Sequence, residues 1–424
     1  MARKRKHHEG ATTEYDESIQ AEAVEPAPPK HSWLYRKIQK LRNAKQMDFL
    51  LFIVLFAIIA FGVIMVFSSS YYSTIDTVGS AYVYLRSSSL WALFALGVVI
   101  VTSFVPYKWY SKSFISVGYM LVAIGLLLAL FTPLGETHHG ATRWLNLGPI
   151  TLMPGEIAKP AVIIFVAWYY NKMKKYLGGW ITNLFVGAVP IGILALLLLG
   201  LIYAQPNLST AMIIVFVMVA MMFIAGIKFI YLMGASGLGV VGLLTLINMR
   251  GSEHQNRMSG YRNPFADAQG EFYQTIQGLL GLGAGGLTGV GLGNSIQKAL
   301  YLPEAQNDYI FSIIGEEVGF IGILVLMAVY LVLIWRCTLV TIKAPDRFSM
   351  LLCAGCTMLL TFQVLMNIAV VTNLIPPTGI GLPFISYGGN SELIFAWCMG
   401  MVLNVSRSFG KRPYRRKPKL TVVK

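Results

Sequence analysis

Residues 49–67 read FLLFIVLFAIIAFGVIMVF, from Phe49 to Phe67, with no charged side chain among them. An apolar run of about 18 residues or more is long enough to cross the hydrocarbon of a bilayer as a helix. Nothing upstream has the form of a cleavable leader. This first apolar run begins near residue 48 and is long enough to remain as a span. Just before it, residues 32–46 place Leu34, Ile38 and Leu41 at helical spacing among Arg36, Lys37, Lys40, Arg42 and Lys45. That pattern predicts a basic amphipathic helix lying on the inner membrane surface. A solvated tail with chance spacing is the plainer alternative.

The same kind of run recurs along the chain. Spans are predicted at about 48–68, 88–106, 113–132, 156–171, 181–203, 208–226, 228–248, 309–336, 349–372 and 385–406. Composition agrees: 55% of the residues are hydrophobic and 12% charged, against about 25% charged in soluble domains. The formal net charge of +15 does not point to nucleic acid, because the cations gather at both ends and in short loops. With the N-terminus inside, most of the 34 Lys and Arg fall on the cytoplasmic side, as orientation by basic loops requires. The expected architecture is therefore an all-α polytopic membrane protein of about ten transmembrane helices, with both termini cytoplasmic. Its large extracytoplasmic loop, 249–308, falls between spans seven and eight.

The predicted divisions are a disordered cytoplasmic tail at 1–31, the basic helix at 32–46, the membrane domain at 47–408 and a basic tail at 409–424. The first tail has too little apolar surface to offset ordering entropy. The last carries Lys411, Arg412, Arg415, Arg416, Lys417 and Lys419, which favours anionic lipid. Cys353 and Cys356 have the spacing of a redox motif, but they sit with Cys337 and Cys398 in or beside predicted spans. Small residues packing between helices explain them better.

Ionisable groups at membrane depth are costly, so each is a candidate for function. Glu156 and Lys159 lie three residues apart at the start of the fourth span, on one helix face, and could simply pair with each other. Asp308 sits where the long loop re-enters the membrane, with Ser312, Glu316 and Glu317 following. A carboxylate at such a mouth could act as a general base; a loop-end or N-cap aspartate is the commoner role. Arg143, Arg250, Arg257, Arg262 and Lys298 lie in the outer loops, against the positive-inside trend. Their cations suit phosphate oxygens of a lipid headgroup, or else salt bridges to Glu271 or Glu304. The run Gly278 to Gly293 contains Gly281-x-Gly283-x-x-Gly286, a formal match to a dinucleotide fingerprint with no strand before it. Close-packed or re-entrant backbone is the better reading. His138 and His139 are adjacent, and no Cys/His metal spacing occurs. A divalent cation, Mg or Mn, held by carboxylates and a diphosphate substrate, stays open.

Several longer segments stand in a telling order. They are Gly140-Ala-Thr-Arg-Trp-Leu-Asn-Leu-Gly148, Met153-Pro-Gly-Glu-Ile-Ala-Lys159, Gln205-Pro-Asn-Leu-Ser-Thr210 and Asn263-Pro-Phe-Ala-Asp-Ala-Gln-Gly270. Tyr301-Leu-Pro-Glu-Ala-Gln-Asn-Asp308 runs on to Gly319, and Pro376-Pro-Thr-Gly-Ile-Gly-Leu-Pro-Phe-Ile-Ser-Tyr-Gly-Gly389 closes the set. Together, over about residues 45–408, they resemble the signature segments of the SEDS family (shape, elongation, division and sporulation). The stretch Gly291-Leu-Gly-Asn-Ser-Ile-Gln-Lys298 is more similar to the division and sporulation branch than to the elongation branch.

The resemblance implies a peptidoglycan glycosyltransferase that polymerises lipid II outside the bacterial cytoplasmic membrane, at the division septum, with a class B penicillin-binding protein as transpeptidase partner. Other division proteins and membrane lipids would be further partners. It places the family's essential aspartate on Asp308, its Glu/Lys pair on Glu156 and Lys159, and its outer-loop arginine on Arg143. Gln205, Pro206, Glu304, Glu316, Ser386 and Tyr387 fall in the matching segments as supporting residues. The chain departs from the pattern at Gly155, Asn207, Ser209 and Asn390-Ser-Glu392, which disfavours any role needing a carboxylate at 207. In the expected reaction Asp308 takes the proton of an acceptor hydroxyl, while Arg143, Lys159 or a divalent ion stabilises the departing diphosphate. A lipid II flippase and a non-catalytic division scaffold are the alternatives. A binding site nearer mid-membrane would suit a transporter better.

Overall fold

The computed structural model describes residues 47–138, 141–146, 148, 151–205, 207–234, 237, 261, 265, 272–299 and 301–408. The basic helix expected at 32–46, both tails and most of the predicted span at 228–248 lie outside the described residues.

The described chain is dominated by helices. They are α1 (Phe49–Val78), α2 (Tyr82–Phe104), α3 (Ser113–Ala129), α4 (Pro154–Lys172), α5 (Val189–Tyr203), α6 (Leu208–Ile224), α7 (Tyr273–Ala284), α8 (Ile310–Ile342), α9 (Arg347–Val371) and α10 (Gly389–Ser406). Among the described residues, five stretches are long and apolar enough to cross a membrane: Phe49–Ser73, Tyr82–Phe104, Trp180–Tyr203, Ile310–Ile342 and Arg347–Val371. Ser113–Ala129 and Leu208–Ile224 are shorter apolar helices. A π-helical turn, Asn183–Ala188, leads into α5.

Two of the expected outer loops carry ordered structure, and the first departs from the all-α expectation. The loop predicted at 133–155 contains a small antiparallel sheet, β1 (Gly135–His138), β2 (Ala141–Asn146) and β3 (Thr151–Leu152), in the order β1-β2-β3. Short strands there satisfy backbone groups that an open loop would leave to water. The loop predicted at 249–308 contains α7, followed by a compact run that folds onto α8.

The helices end for local reasons. Asp48 caps α1, accepting from the Leu51 N–H (3.1 Å), and also pairs with Arg336 of α8 (2.7 Å). Asp346 and Ser349 form a capping box at the start of α9, which satisfies backbone donors the first turn cannot. Asp346 also accepts from the Tyr107 hydroxyl (2.7 Å). This bond and burial push the Tyr107 phenol above its ordinary pKa, burial being the larger cause.

Helix α9 forms the centre. Its most apolar stretch is 72% buried, against 22% for α8, and it packs against α4, α6, α8 and α10. Cys337, Cys353, Cys356 and Cys398 are all buried and free, in keeping with packing rather than redox pairing.

The glycine run is explained by a break in α8. Gly319 has φ 70° and ψ −173°, which no helix contains. The interrupted turn frees backbone groups, and the run from Gly286 takes them up. Val290 and Gly291 N–H donate to the Glu316 and Glu317 carbonyls (both 3.0 Å). Phe320 and Ile321 N–H donate to Gly286 O and Leu287 O (2.9 and 3.1 Å). A side chain on Gly319 would meet the Gly289 amide nitrogen at 2.2 Å, so two backbones touch where only glycine fits. Irregular backbone at membrane depth is tolerated when protein satisfies it in this way.

Candidate active site

Asp308 ends the segment Tyr301–Tyr309, which is anchored at several points. Leu302 N–H donates to Gln297 O (2.8 Å), and the Gln297 and Ile296 amides donate to the Glu316 carboxylate (3.3 and 2.9 Å). Ser295 Oγ also donates to Glu316. Glu316 is therefore a fully buried anchor for the segment that leads to Asp308. The far end is held by Tyr387 N–H on Gln306 O (2.9 Å) and by Asn367 Nδ2 on the Asp308 carbonyl (2.8 Å).

The Asp308 side chain is partly buried and, among the described residues, accepts no hydrogen bond. One carboxylate oxygen lies beside Gly379, where an added Cβ would stand 3.1 Å away. Burial pushes its pKa up to about 6, neighbouring Glu304 adds to the rise, and Arg143 of β2 opposes it. The carboxylate is thus mostly ionised at neutral pH, yet close enough to titrating to exchange protons readily. The influence of Arg143 also brings the small sheet electrostatically to Asp308.

The second part of the site stands on α4. Met153-Pro154 begins the helix, with Pro in the first turn where its missing N–H costs nothing. Lys159, three residues after Glu156, bonds Glu156 Oε1 through its Nζ at 2.6 Å, and both residues are buried. Lys159 also donates to Gln363 Oε1 of α9 (2.9 Å) and lies 5.8 Å from the Phe395 ring centroid. Glu156 Oε2 is buried and has no hydrogen-bond donor among the described residues.

Two buried amides on α9 join these parts. Gln363 Nε2 donates to Gly381 O (3.2 Å), while its oxygen holds Lys159. One turn later, Asn367 Nδ2 donates to both Ile380 O (2.7 Å) and Asp308 O (2.8 Å). The segment around Gly379 to Gly381 is thereby laced between Lys159 and Asp308. Sequence reasoning did not single out either amide. The available signal was two polar residues one turn apart, Gln363 and Asn367, inside a span that is otherwise apolar.

Other expected residues have different places. Lys298 is not an exposed phosphate-binding cation: it is buried and bonded to Glu317 Oε1 (2.7 Å) and Ser68 Oγ (3.0 Å). Gln205 is buried and donates to Leu127 O (3.0 Å), tying the end of α5 to α3. Asn207 caps α6 by accepting from Thr210 N–H (3.3 Å), a task that needs no carboxylate. Ser386 Oγ accepts from Leu382 N–H (2.6 Å) and shapes the loop after α9. The Tyr387 hydroxyl meets Ser87 Oγ (3.0 Å). Glu304 accepts from Asn307 Nδ2 (2.9 Å). Pro206, Arg250, Arg257, Arg262, Glu271 and His139 lie outside the described residues, as does the His138 side chain.

The chain is similar to known proteins in sequence and in fold. The family model described as Cell cycle protein, covering FtsW, RodA and SpoVE, matches residues 48–410. A protein of Trichlorobacter lovleyi named "Probable peptidoglycan glycosyltransferase FtsW" is 32% identical over 381 residues, covering 90% of this chain and 98% of its own length. Stage V sporulation protein E of Bacillus subtilis is 34% identical over 364 residues, with 85% of this chain and 97% of the relative covered. Among solved structures, one chain from a peptidoglycan synthase complex that coordinates polymerization and crosslinking superposes with a TM-score of 0.68 at 24% identity, covering 85% of this chain and 98% of that one. The rod shape determining protein RodA of Thermus thermophilus superposes with a TM-score of 0.59 at 24% identity, covering 86% and 98%. These structural likenesses concern the fold.

Proposed function

The chain belongs to the Cell cycle protein family of FtsW, RodA and SpoVE, and from that premise we propose that it is a peptidoglycan glycosyltransferase that polymerises lipid II, with Asp308 as general base. The observation that carries this reading is the state of Asp308: a carboxylate with no hydrogen-bond donor among the described residues, titrating near pH 6 beside a guanidinium. A loop-capping aspartate would instead spend its oxygens on backbone amides.

In the proposed reaction the Asp308 carboxylate accepts the proton of an acceptor sugar hydroxyl. That oxygen bonds to the anomeric carbon of the donor, and the bond from this carbon to the undecaprenyl diphosphate breaks. The leaving diphosphate carries the electron pair away. Arg143, which acts electrostatically on Asp308, and Lys159 are the cations proposed to stabilise that growing charge. Glu156 and Gln363 hold the Lys159 ammonium in place. Among the described residues no three His, Cys, Asp or Glu side chains gather to hold a metal ion, so an Mg2+ or Mn2+ ion here would depend on oxygens of the substrate diphosphate beside the Asp308 carboxylate. Such an ion would be held by Asp308 and substrate oxygens and would supply charge neutralisation.

The reaction faces away from the cytoplasm, with both termini inside and about ten spans, an orientation supported by the placement of Lys and Arg. A class B penicillin-binding protein is the proposed partner, in line with the synthase complex among the structural neighbours. Similarity to FtsW and to the sporulation protein supports a role at the division or sporulation septum.

The test is polymerisation of labelled lipid II by purified protein in detergent, with and without its class B partner. Wild type is expected to make glycan. Asp308→Ala is expected to fold and to lose about 100-fold or more of that rate. Equal rates from both would remove Asp308 from the chemistry. No glycan from either, with partner present and lipid II confirmed usable, would favour the flippase or scaffold readings.

A further inference from the structure

We infer that Gln363 and Asn367 are positioning residues, a two-rung amide ladder on α9 that sets the spacing between Lys159 and Asp308. The inference rests on the glycosyltransferase reading above and adds residues to it.

The case begins with what each amide can bond. A side-chain amide has one acceptor oxygen and one donor NH2 group. Asn367 faces two carbonyl oxygens, Asp308 O at 2.8 Å and Ile380 O at 2.7 Å. Only its NH2 can satisfy both, so the orientation is set by chemistry. Gln363 faces the Lys159 ammonium at 2.9 Å and the Gly381 carbonyl at 3.2 Å. Only its oxygen can accept from the former, and only its NH2 can donate to the latter. Neither amide can be turned over without placing like against like.

The connectivity is also specific. Lys159 belongs to α4, Asp308 to the segment before α8, and Ile380 and Gly381 to the loop after α9. These elements come from distant parts of the chain. At the two rungs they meet through Gln363 and Asn367, which are 3% and 0% exposed. Because the rungs are one helical turn apart on a largely buried helix, their separation is rigid. A stiff ruler then holds the base and the cation that serves the leaving group. A misplacement of about 1 Å between such groups can cost about 100-fold in rate.

The two rungs predict different kinetic signatures. The Asn367 rung holds the backbone of the base, so its loss lowers kcat. The Gln363 rung holds the cation that meets the diphosphate in the bound donor as well as in the leaving group, so its loss raises KM in addition to lowering kcat. A role in stability alone would lower the folded fraction, which reduces apparent kcat at unchanged KM and lowers the melting temperature, so kcat is compared per folded protein.

The experiment uses the full-length protein with its partner and labelled lipid II, with kcat, KM and the melting temperature measured for each variant. Asn367→Asp is nearly isosteric but loses the NH2 group that both carbonyls need. It is expected to lower kcat by about 10-fold to 100-fold with KM within about twofold. Gln363→Leu loses both bonds and is expected to raise KM about tenfold, at the scale of a lost charge-assisted bond. Gln363→Glu keeps an acceptor for Lys159 and is expected to bring KM back toward wild type. Wild-type kcat in folded Asn367→Asp, or a Gln363→Leu defect that Gln363→Glu does not relieve, overturns the inference. If Asn367→Asp does not fold, the two Gln363 variants decide. A silent wild type overturns the glycosyltransferase reading, and the ladder's role with it. An active wild type with unchanged variants overturns the ladder alone.

Discussion

Among the described residues the protein buries two Glu–Lys pairs, and they differ in how fully they are satisfied. Lys298 and Glu317 meet at 2.7 Å, and Ser68 of α1 closes the group. Its hydroxyl donates to both Glu317 oxygens (2.6 and 2.9 Å) and accepts from Lys298 (3.0 Å). Glu156 and Lys159 meet at 2.6 Å, but Glu156 Oε2 has no donor among the described residues. Burying a charge is costly, and full hydrogen bonding is what repays it. A closed triangle suits a brace between α1 and the broken start of α8. An incomplete pair, linked through Gln363 to the Gly381 loop that Asn367 ties to Asp308, suits the substrate site proposed above. Stability argues for the first arrangement and chemistry for the second.

The comparison can be broken by replacing each pair with apolar residues. Glu156→Leu with Lys159→Met is expected to fold and to polymerise lipid II about 100-fold to 1,000-fold more slowly, the scale of a lost charge-stabilising group. Lys298→Met alone is expected to lower unfolding stability in detergent by about 3–5 kcal/mol, since it strands a buried carboxylate. Adding Glu317→Leu to it is expected to restore most of that stability and to leave polymerisation near wild type. An active Glu156/Lys159 double variant would erase the distinction between the pairs.

A smaller effect sharpens the electrostatics around Asp308. As the proposed general base with a pKa of about 6, it is expected to make kcat/KM fall about tenfold per pH unit once pH drops below that value. Arg143 lowers this pKa and Glu304 raises it. Arg143→Gln is therefore expected to move the acid limb to higher pH, and Glu304→Gln to lower pH. Shifts in the opposite directions would contradict the placement of these charges.

The smallest effect concerns stability. The folded-state pKa of Asp308 lies above the ordinary carboxylate value, about 6 against 3.8. The folded state therefore prefers the protonated form, and its ionisation costs stability as pH rises through the interval. Asp308→Asn is expected to melt higher than wild type at pH 8, with the gap closing toward pH 4. A variant less stable at every pH would mean that the carboxylate is structural, like that of Glu317.

Legibility followed the range of the interactions. Helices α1, α2, α3, α8 and α9 were readable from apolar runs, because burial in lipid depends on local composition. Asp308, Glu156 and Lys159 stood out because an ionisable group at a span's end is conspicuous. Lys298 was misread because its sequence neighbours do not reveal Ser68 or Glu317 across the fold. The small sheet was missed because its strands are too short to show a period. The break at Gly319 was hidden inside a long apolar run, although the glycines that serve it were visible as close-packing backbone.

The amino-acid sequence by itself determined that this chain is a helical membrane protein, which segments are apolar enough to span, and which carboxylates and cations could carry chemistry. Those properties belong to residues and their near neighbours. Only the tertiary structure decided which charges are spent on each other and which remain available. It joined Gln363 and Asn367 to Lys159 and Asp308, and it closed Ser68 onto Lys298 and Glu317. Hydrogen-bond satisfaction of a buried group depends on partners hundreds of residues away, and no local pattern encodes it.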